Sequence, residues 1–199
     1  MKSFPASRRN GGFSMIELMV VVGIMVILAG LLIAALPGIQ SRINRNKVET
    51  FIAELESGLS KYQIDNGSYP LNEPGGDRDM AGTKGAAVLY KHLSGDWDLD
   101  GKVDFTQNEK VYVPKLDYSS QPKPGERKAH EPRSMSIGGQ YMLIDSYSNP
   151  IRYLAQVPNL APGEKRETYN PTYDIWSITD ANPDNPDESA KYITNWQGQ

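Results

Sequence analysis

Cysteine is absent from the 199 residues. No disulfide framework and no thiol chemistry can therefore exist, a composition that suits an exported domain without requiring one. Histidine is limited to His92 and His130. Neither sits in a metal-ligating or catalytic spacing, and both read as surface loop residues. The formal net charge is only −3, too weak for the electrostatic footprint of a nucleic-acid-binding domain. The sequence also lacks a nucleophile elbow, a His-Glu-x-x-His pair and a phosphate-cradling glycine loop. An enzyme is not expected.

What the chain does have is one long apolar run. Arg8 and Arg9 lead to Gly11-Gly12, then Phe13-Ser14-Met15-Ile16-Glu17, then an uncharged stretch from Leu18 to Leu36. About 20 apolar residues cross a hydrocarbon core as a helix. Glu17 stands at the edge of that span, where a carboxylate is costly and by default functional. An ordinary signal peptide fits poorly, because the apolar run is too long and no small-x-small site closes it. Lys2, Arg8 and Arg9 precede the span and the bulk of the chain follows it. The positive-inside rule then predicts a single-pass protein with a cytoplasmic N-terminus and an exported head.

Helical character continues past the span. Pro37-Gly38 is expected to bend or loosen the helix. Beyond it Val48, Phe51, Ile52, Leu55, Leu59 and Tyr62 recur at spacings of three and four, which makes one apolar stripe that should seat a sheet. The helix should stop at Asp65-Asn66-Gly67-Ser68-Tyr69-Pro70, where Asn-Gly admits positive φ and Tyr-Pro forces extension. Ala86–Leu93 is expected as a short helix and Val111–Pro114 as a short extended piece. Strands are expected at Gln140–Asp145, Ile151–Ala155 and Tyr173–Ile178, with Gly138-Gly139 a turn or bulge. A long helix followed by clustered antiparallel strands is an α+β order.

The N-terminal stretch resembles the type IV pilin superfamily, which includes the pseudopilins of type II secretion. The resemblance implies that a membrane prepilin peptidase cuts after Gly12, that Phe13 is then N-methylated, and that Glu17 serves assembly. The Asp65-Asn66-x-x-Tyr69-Pro70 turn is similar to that of major pseudopilins. So is the phrase Leu143, Asp145, Asn149, Pro150 and Tyr153, with Tyr147 and Ser148 in place of tryptophan and glycine. Tyr173–Ser177 and Tyr192-Ile193-Thr194-Asn195-Trp196 extend the likeness to the C-terminus. The usual helix proline of the family falls at Ala34 here, and the middle region 71–138 is longer than the usual head.

The family implies a division into a leader 1–12, a transmembrane helix half 13–36, an amphipathic half 37–66 and a periplasmic head 67–199. It implies a bacterial inner-membrane protein that self-assembles with other pseudopilins, on an inner-membrane secretion platform, into a periplasmic filament driving protein secretion. A type IV pilus subunit is the alternative within the superfamily. A membrane-anchored calcium-dependent binding domain is the alternative outside it.

Two stretches are candidate calcium sites. In Asp96-Trp97-Asp98-Leu99-Asp100-Gly101-Lys102-Val103-Asp104 the alternating aspartates, then glycine, match the way an EF-hand-type loop wraps calcium. Asp96, Asp98 and Asp100 would supply side chains, Lys102 its carbonyl and Asp104 a further ligand. Gln107 stands where a bidentate Glu is expected, and Glu109 is a possible substitute. The second candidate, Asp180 to Ser189, reads by composition as an exposed loop. The resemblance instead assigns it calcium, with Asp180 as one ligand and Asp187 or Ser189 replacing another.

Overall fold

In the computed structural model, residues 12–72, 82–99, 110–116, 133–158, 163 and 165–196 are described, without the side chains of 34–37 and 115. The chain divides into two compact units, Met1–Arg42 and Ile43–Gln199. One helix, α1 (Met15–Asn66, 52 residues), contributes to both. Its N-terminal part holds an 18-residue window of mean hydropathy 3.0, none of it buried by protein. This is the one helix among the described residues that is long and apolar enough to cross a membrane. The helix runs through Pro37-Gly38 without interruption.

In the second unit the expected stripe is the core. Val48, Phe51, Ile52, Leu55 and Leu59 are buried and Tyr62 packs at their margin. Gly58 interrupts the stripe for a steric reason: a Cβ there would lie 2.4 Å from Val113 Cγ2. The helix ends as its sequence requires. Gly67 takes φ 77° and its N–H closes on the Gln63 carbonyl at 2.8 Å, the left-handed termination that glycine makes cheap.

Helix α2 (Thr83–Ser94) buries Ala86, Leu89, Tyr90 and Leu93, and Gly95 caps its C-terminus at φ 83°. It packs across β2 (Gln140–Leu143) and β3 (Arg152–Ala155). Gly85 permits the approach, since a Cβ there would lie 2.5 Å from the Tyr153 carbonyl oxygen. After α2, residues 110–116 return to α1. Tyr112 and Val113 both donate to the Leu93 carbonyl, Lys110 pairs with Asp65, and Asn66 Nδ2 donates to the Tyr112 hydroxyl at 3.1 Å. The extended piece expected at Val111–Pro114 is instead a bend at 112–113 followed by a 3₁₀ turn, Pro114–Leu116.

The strands form two antiparallel sheets rather than one. β1 (Ser134–Ile137) pairs with β2 in register Ile137↔Gln140. Gly138-Gly139 connects them at φ 63° and 88°, the positive pair a two-residue hairpin turn needs. The second sheet has the order β3–β4–β5, where β4 is Tyr173–Ser177 and β5 is Ile193–Thr194. Between β2 and β3 the bridge Ile144↔Pro150 forms, with Ile151 N–H donating to the Leu143 carbonyl at 3.1 Å, and the pairing does not extend into a ladder. Asn72 covers the free edge of β3. Its amide donates to the Tyr153 carbonyl at 3.0 Å and accepts from Ala155 N–H at 2.8 Å, as a paired strand would.

His92 departs from the surface-loop expectation. It lies on α2, its ring edge-on to Tyr62 and Trp97 at 5.3 and 4.9 Å, with Nδ1 buried and without a hydrogen-bond partner. Burial, with Lys91 adding, lowers its pKa to about 4. Helix periodicity put position 92 beside the core face, and that signal outweighed the residue's usual surface preference. His130 lies outside the described residues.

Candidate functional site

The N-terminal site is built by three residues. Ser14 precedes α1 and Glu17 falls three positions later. The Glu17 carboxylate accepts from Ser14 N–H at 2.8 Å and the Ser14 hydroxyl accepts from Glu17 N–H at 3.3 Å. This reciprocal pair is a capping box. It satisfies two donors that a helix start leaves orphaned, and it sets a carboxylate against the positive end of the helix dipole. The Ser-x-x-Glu spacing was readable in the sequence and went unused. Phe13, immediately before the cap, is 84% exposed. Gly12 is the first described residue, and a Cβ on it would meet nothing within 4 Å. A cut between Gly12 and Phe13 would place a free amine one residue before Ser14.

In the head, Asp145, Asn149, Tyr153 and Asn195 of the C-terminal phrases have bonding roles. The Asp145 carboxylate is buried and accepts from Tyr147 N–H (2.8 Å), Asn149 N–H (2.9 Å) and the Ser177 hydroxyl. Burial pushes its pKa up against those three donors. The turn it holds passes through Ser148 at φ 66°, where the pseudopilin phrase has glycine. Asn149 donates to the Thr179 carbonyl, joining this turn to the end of β4. Tyr153 donates its hydroxyl to the Pro70 carbonyl at 2.8 Å, and Tyr69 packs its ring 4.7 Å from Tyr173. The Tyr-Pro turn after α1 is thereby fixed to the sheet. Asn195 Oδ1 accepts from Ile175 N–H at 3.0 Å, while its own N–H donates to the Ile175 carbonyl at 3.1 Å, which lengthens the two-residue pairing of β5.

The calcium candidates are placed as follows. Asp96 is fully buried, its N–H on the Ser94 hydroxyl at 3.1 Å, and its carboxylate takes the Tyr90 hydroxyl. Burial, with the Asp96 charge adding, pushes that hydroxyl's pKa up. Leu99 takes a left-handed φ of 63° and its carbonyl accepts from Tyr141 N–H at 3.0 Å. Asp98 is described, whereas Asp100, Lys102, Asp104, Gln107 and Glu109 lie outside the described residues.

In the C-terminal loop Asp180, Asp187 and Ser189 are all exposed. Among the described residues no three Asp, Glu or His side chains converge as a metal group. Glu188 is already engaged, accepting from Asn182 N–H at 2.9 Å and from Lys191 Nζ at 2.8 Å. Glu188, with Asp180 adding, raises the Lys191 pKa. The pair Glu188–Lys191 lies within this loop, while Asp180, Asp187 and Ser189 stand exposed beside it.

The model of the prokaryotic N-terminal methylation motif matches residues 7–33. Type II secretion system core protein G of Escherichia coli K12 is 34% identical over 149 residues, covering 72% of this chain and 93% of that protein. The chain belongs to the core protein G family. Core protein G of Klebsiella michiganensis is 45% identical over 64 residues, and that of Aeromonas hydrophila 40% over 70. These two matches cover 45% and 49% of the relatives, so the chain spans about half the length of each. The type IV wide pilus major component PilA4 of Thermus thermophilus is 38% identical over 66 residues, 33% of this chain. No solved structure matches.

Proposed function

We propose that the chain is a structural subunit of a type II secretion pseudopilus, one that acts by assembly and carries out no reaction. The observation that carries this reading is the alignment with Escherichia coli core protein G over 93% of that relative. The apolar half of α1 anchors the subunit, single-pass, in the bacterial inner membrane with its head in the periplasm. Prepilin peptidase removes residues 1–12 and Phe13 is methylated. In the filament, Glu17 meets the Phe13 amine of a neighbouring subunit. Two opposite charges brought together in low dielectric offset their desolvation only when the geometry is good, and removing one partner leaves the other buried and uncompensated.

The test is complementation in a strain lacking the gene. Wild-type chain should restore secretion and Glu17→Ala should not, although it inserts into the membrane as well or better. Restoration of secretion by Glu17→Ala would contradict the assembly role. A type IV pilus subunit is the second reading, supported by the Thermus pilus relative, whose match covers only a third of this chain.

Calcium enters this proposal at two places, the Asp96–Asp104 loop and the C-terminal loop with Asp180, Asp187 and Ser189. The first is supported by the aspartate alternation and the left-handed backbone at Leu99. Asp96, already committed to Tyr90, would have to share its carboxylate.

A further inference from the structure

Strand β4 alternates Tyr173, Ile175 and Ser177 with Asp174 and Trp176. In a strand, successive side chains face opposite ways. The first set packs toward the core. The second, with Trp196 just beyond β5, lines a cavity of about 750 Å3 on the other face of the sheet, within the range of roughly 300–1,000 Å3 of ligand sites. The pseudopilin reading leaves this cavity without a role.

Its walls are aromatic. Trp176 and Trp196 meet at 71° with centroids 5.6 Å apart, which forms a corner, and Tyr169 stacks behind Trp196 at 4.9 Å and 22°. Tyr192 completes the lining. Among the described residues the charges in the lining are Glu167 and Asp174, with no lysine or arginine. Asp174 is 2% exposed and accepts from Tyr169 N–H at 2.7 Å and Asn170 N–H at 2.9 Å. Those bonds hold the 169–170 segment over the cavity. They do not neutralise the carboxylate, and no basic side chain among the described residues pairs with it. A buried charge lacking a counter-ion is costly, and aromatic faces converging beside it favour a cation.

We propose that this pocket receives one basic side chain, arginine or lysine, from a second copy of the chain. The chain offers such groups. Arg42 and Lys61 on α1 and Lys84 on α2 are exposed, and no acid pairs with them among the described residues. A socket and a plug on different surfaces of one molecule make a heterologous contact, which propagates into an open filament rather than closing a dimer. The choice of partner rests on the assembly reading above, whereas the cation chemistry of the pocket does not.

Two of the three tryptophans line the pocket, so indole signals report on it. The full chain in detergent micelles is titrated with N-acetyl-arginine amide, then with uncharged N-acetyl-citrulline amide and with methyl glucoside. The expected result is saturable change with the arginine probe and binding about tenfold weaker or absent with citrulline. Asp174→Asn keeps an acceptor for one of the two N–H groups, sets an amide NH2 against the other, and should remove the response. Because that variant carries a risk to folding, Glu167→Gln and Tyr169→Ala on the rim serve as well, each expected to weaken it at unchanged helix content. An equal response to citrulline or to the glucoside, or none to arginine, overturns the cation assignment.

The second arm places benzoylphenylalanine at Ser189 and illuminates assembled filaments. Adducts to a second copy at a peptide containing Arg42, Lys61 or Lys84 support the proposal. Adducts solely to another protein overturn the choice of partner. Failure of the wild-type chain to assemble would count against the pseudopilus reading and leave the probe titration interpretable.

Discussion

Ser14 and Glu17 bond reciprocally across the first turn of α1, N–H to carboxylate at 2.8 Å and N–H to hydroxyl at 3.3 Å. Glu17 thus has work within its own chain, capping the helix, besides the intersubunit role proposed for it. The two roles separate by chemistry. Glutamine at this position still accepts the Ser14 N–H but carries no charge. Glu17→Gln should therefore keep the capped start and lose assembly, whereas Ser14→Ala should lose about 1 kcal/mol of helix-start stability and still assemble. Filament formation beside helix content by circular dichroism reads both. A Glu17→Gln chain that assembles normally would reduce Glu17 to a cap.

Calcium binding at the Asp96–Asp104 loop should raise the melting temperature of the head, since a ligand bound only by the folded state stabilises it by about 2.7 kcal/mol at a hundredfold excess over Kd. Asp98→Ala with Asp100→Ala should remove the shift. Asp180→Ala should leave the shift owed to this loop and affect only the C-terminal candidate. Magnesium should substitute poorly, as it demands a tighter octahedral shell. A calcium shift unchanged in the double variant would exclude this loop.

Ser148 holds φ 66° in the turn that Asp145 organises. Left-handed backbone costs a residue with a Cβ about 1 kcal/mol, and a β-branched one more. Glycine removes that strain but adds unfolded-state freedom of similar size. Ser148→Gly should be neutral to stabilising by up to about 1 kcal/mol, and Ser148→Val should cost about 1–3 kcal/mol. Denaturant midpoints check this, and equal stability of the two variants would contradict the turn geometry.

His92 makes stability depend on pH. Its folded pKa is about 4 against 6.5 for the free residue, so below pH 6.5 the unfolded state binds the proton first. Stability should fall as pH drops from 6.5 toward 4 and lose no more from this group below that. His92→Phe, which keeps a ring against Tyr62 and Trp97, should flatten that part of the profile. Parallel melting curves of variant and wild type across this range would show His92 to be a bystander.

Much of this was legible because it is periodic or punctuated. The stripe from Val48 to Leu59 and the Asn66-Gly67 stop follow from spacing and glycine geometry, and α1 ends where they put it. β3 and β4 showed as short β-rich runs. β1 did not, because Ser134–Ile137 is half exposed and follows a polar tract, and Gly138-Gly139 read only as a turn or bulge. The split into two sheets was hidden for a different reason. The connection between β2 and β3 is held by Asp145 bonds to Tyr147, Asn149 and Ser177, and bonds of that kind have no period. Asn72 and Asn195 likewise stand in for strand backbone, a role their sequence neighbours do not announce. The cavity at Trp176 and Trp196 required knowing which strand face each residue takes.

The measurement that tests the account most directly is the N-terminus of the native protein, by intact mass and terminal sequencing of chain isolated from its own membranes. The account predicts a mature chain that begins at Phe13, shortened by residues 1–12 and carrying one methyl group on its amine. A chain that still begins at Met1, or one cut after the apolar run near Ala34-Ala35, would contradict it.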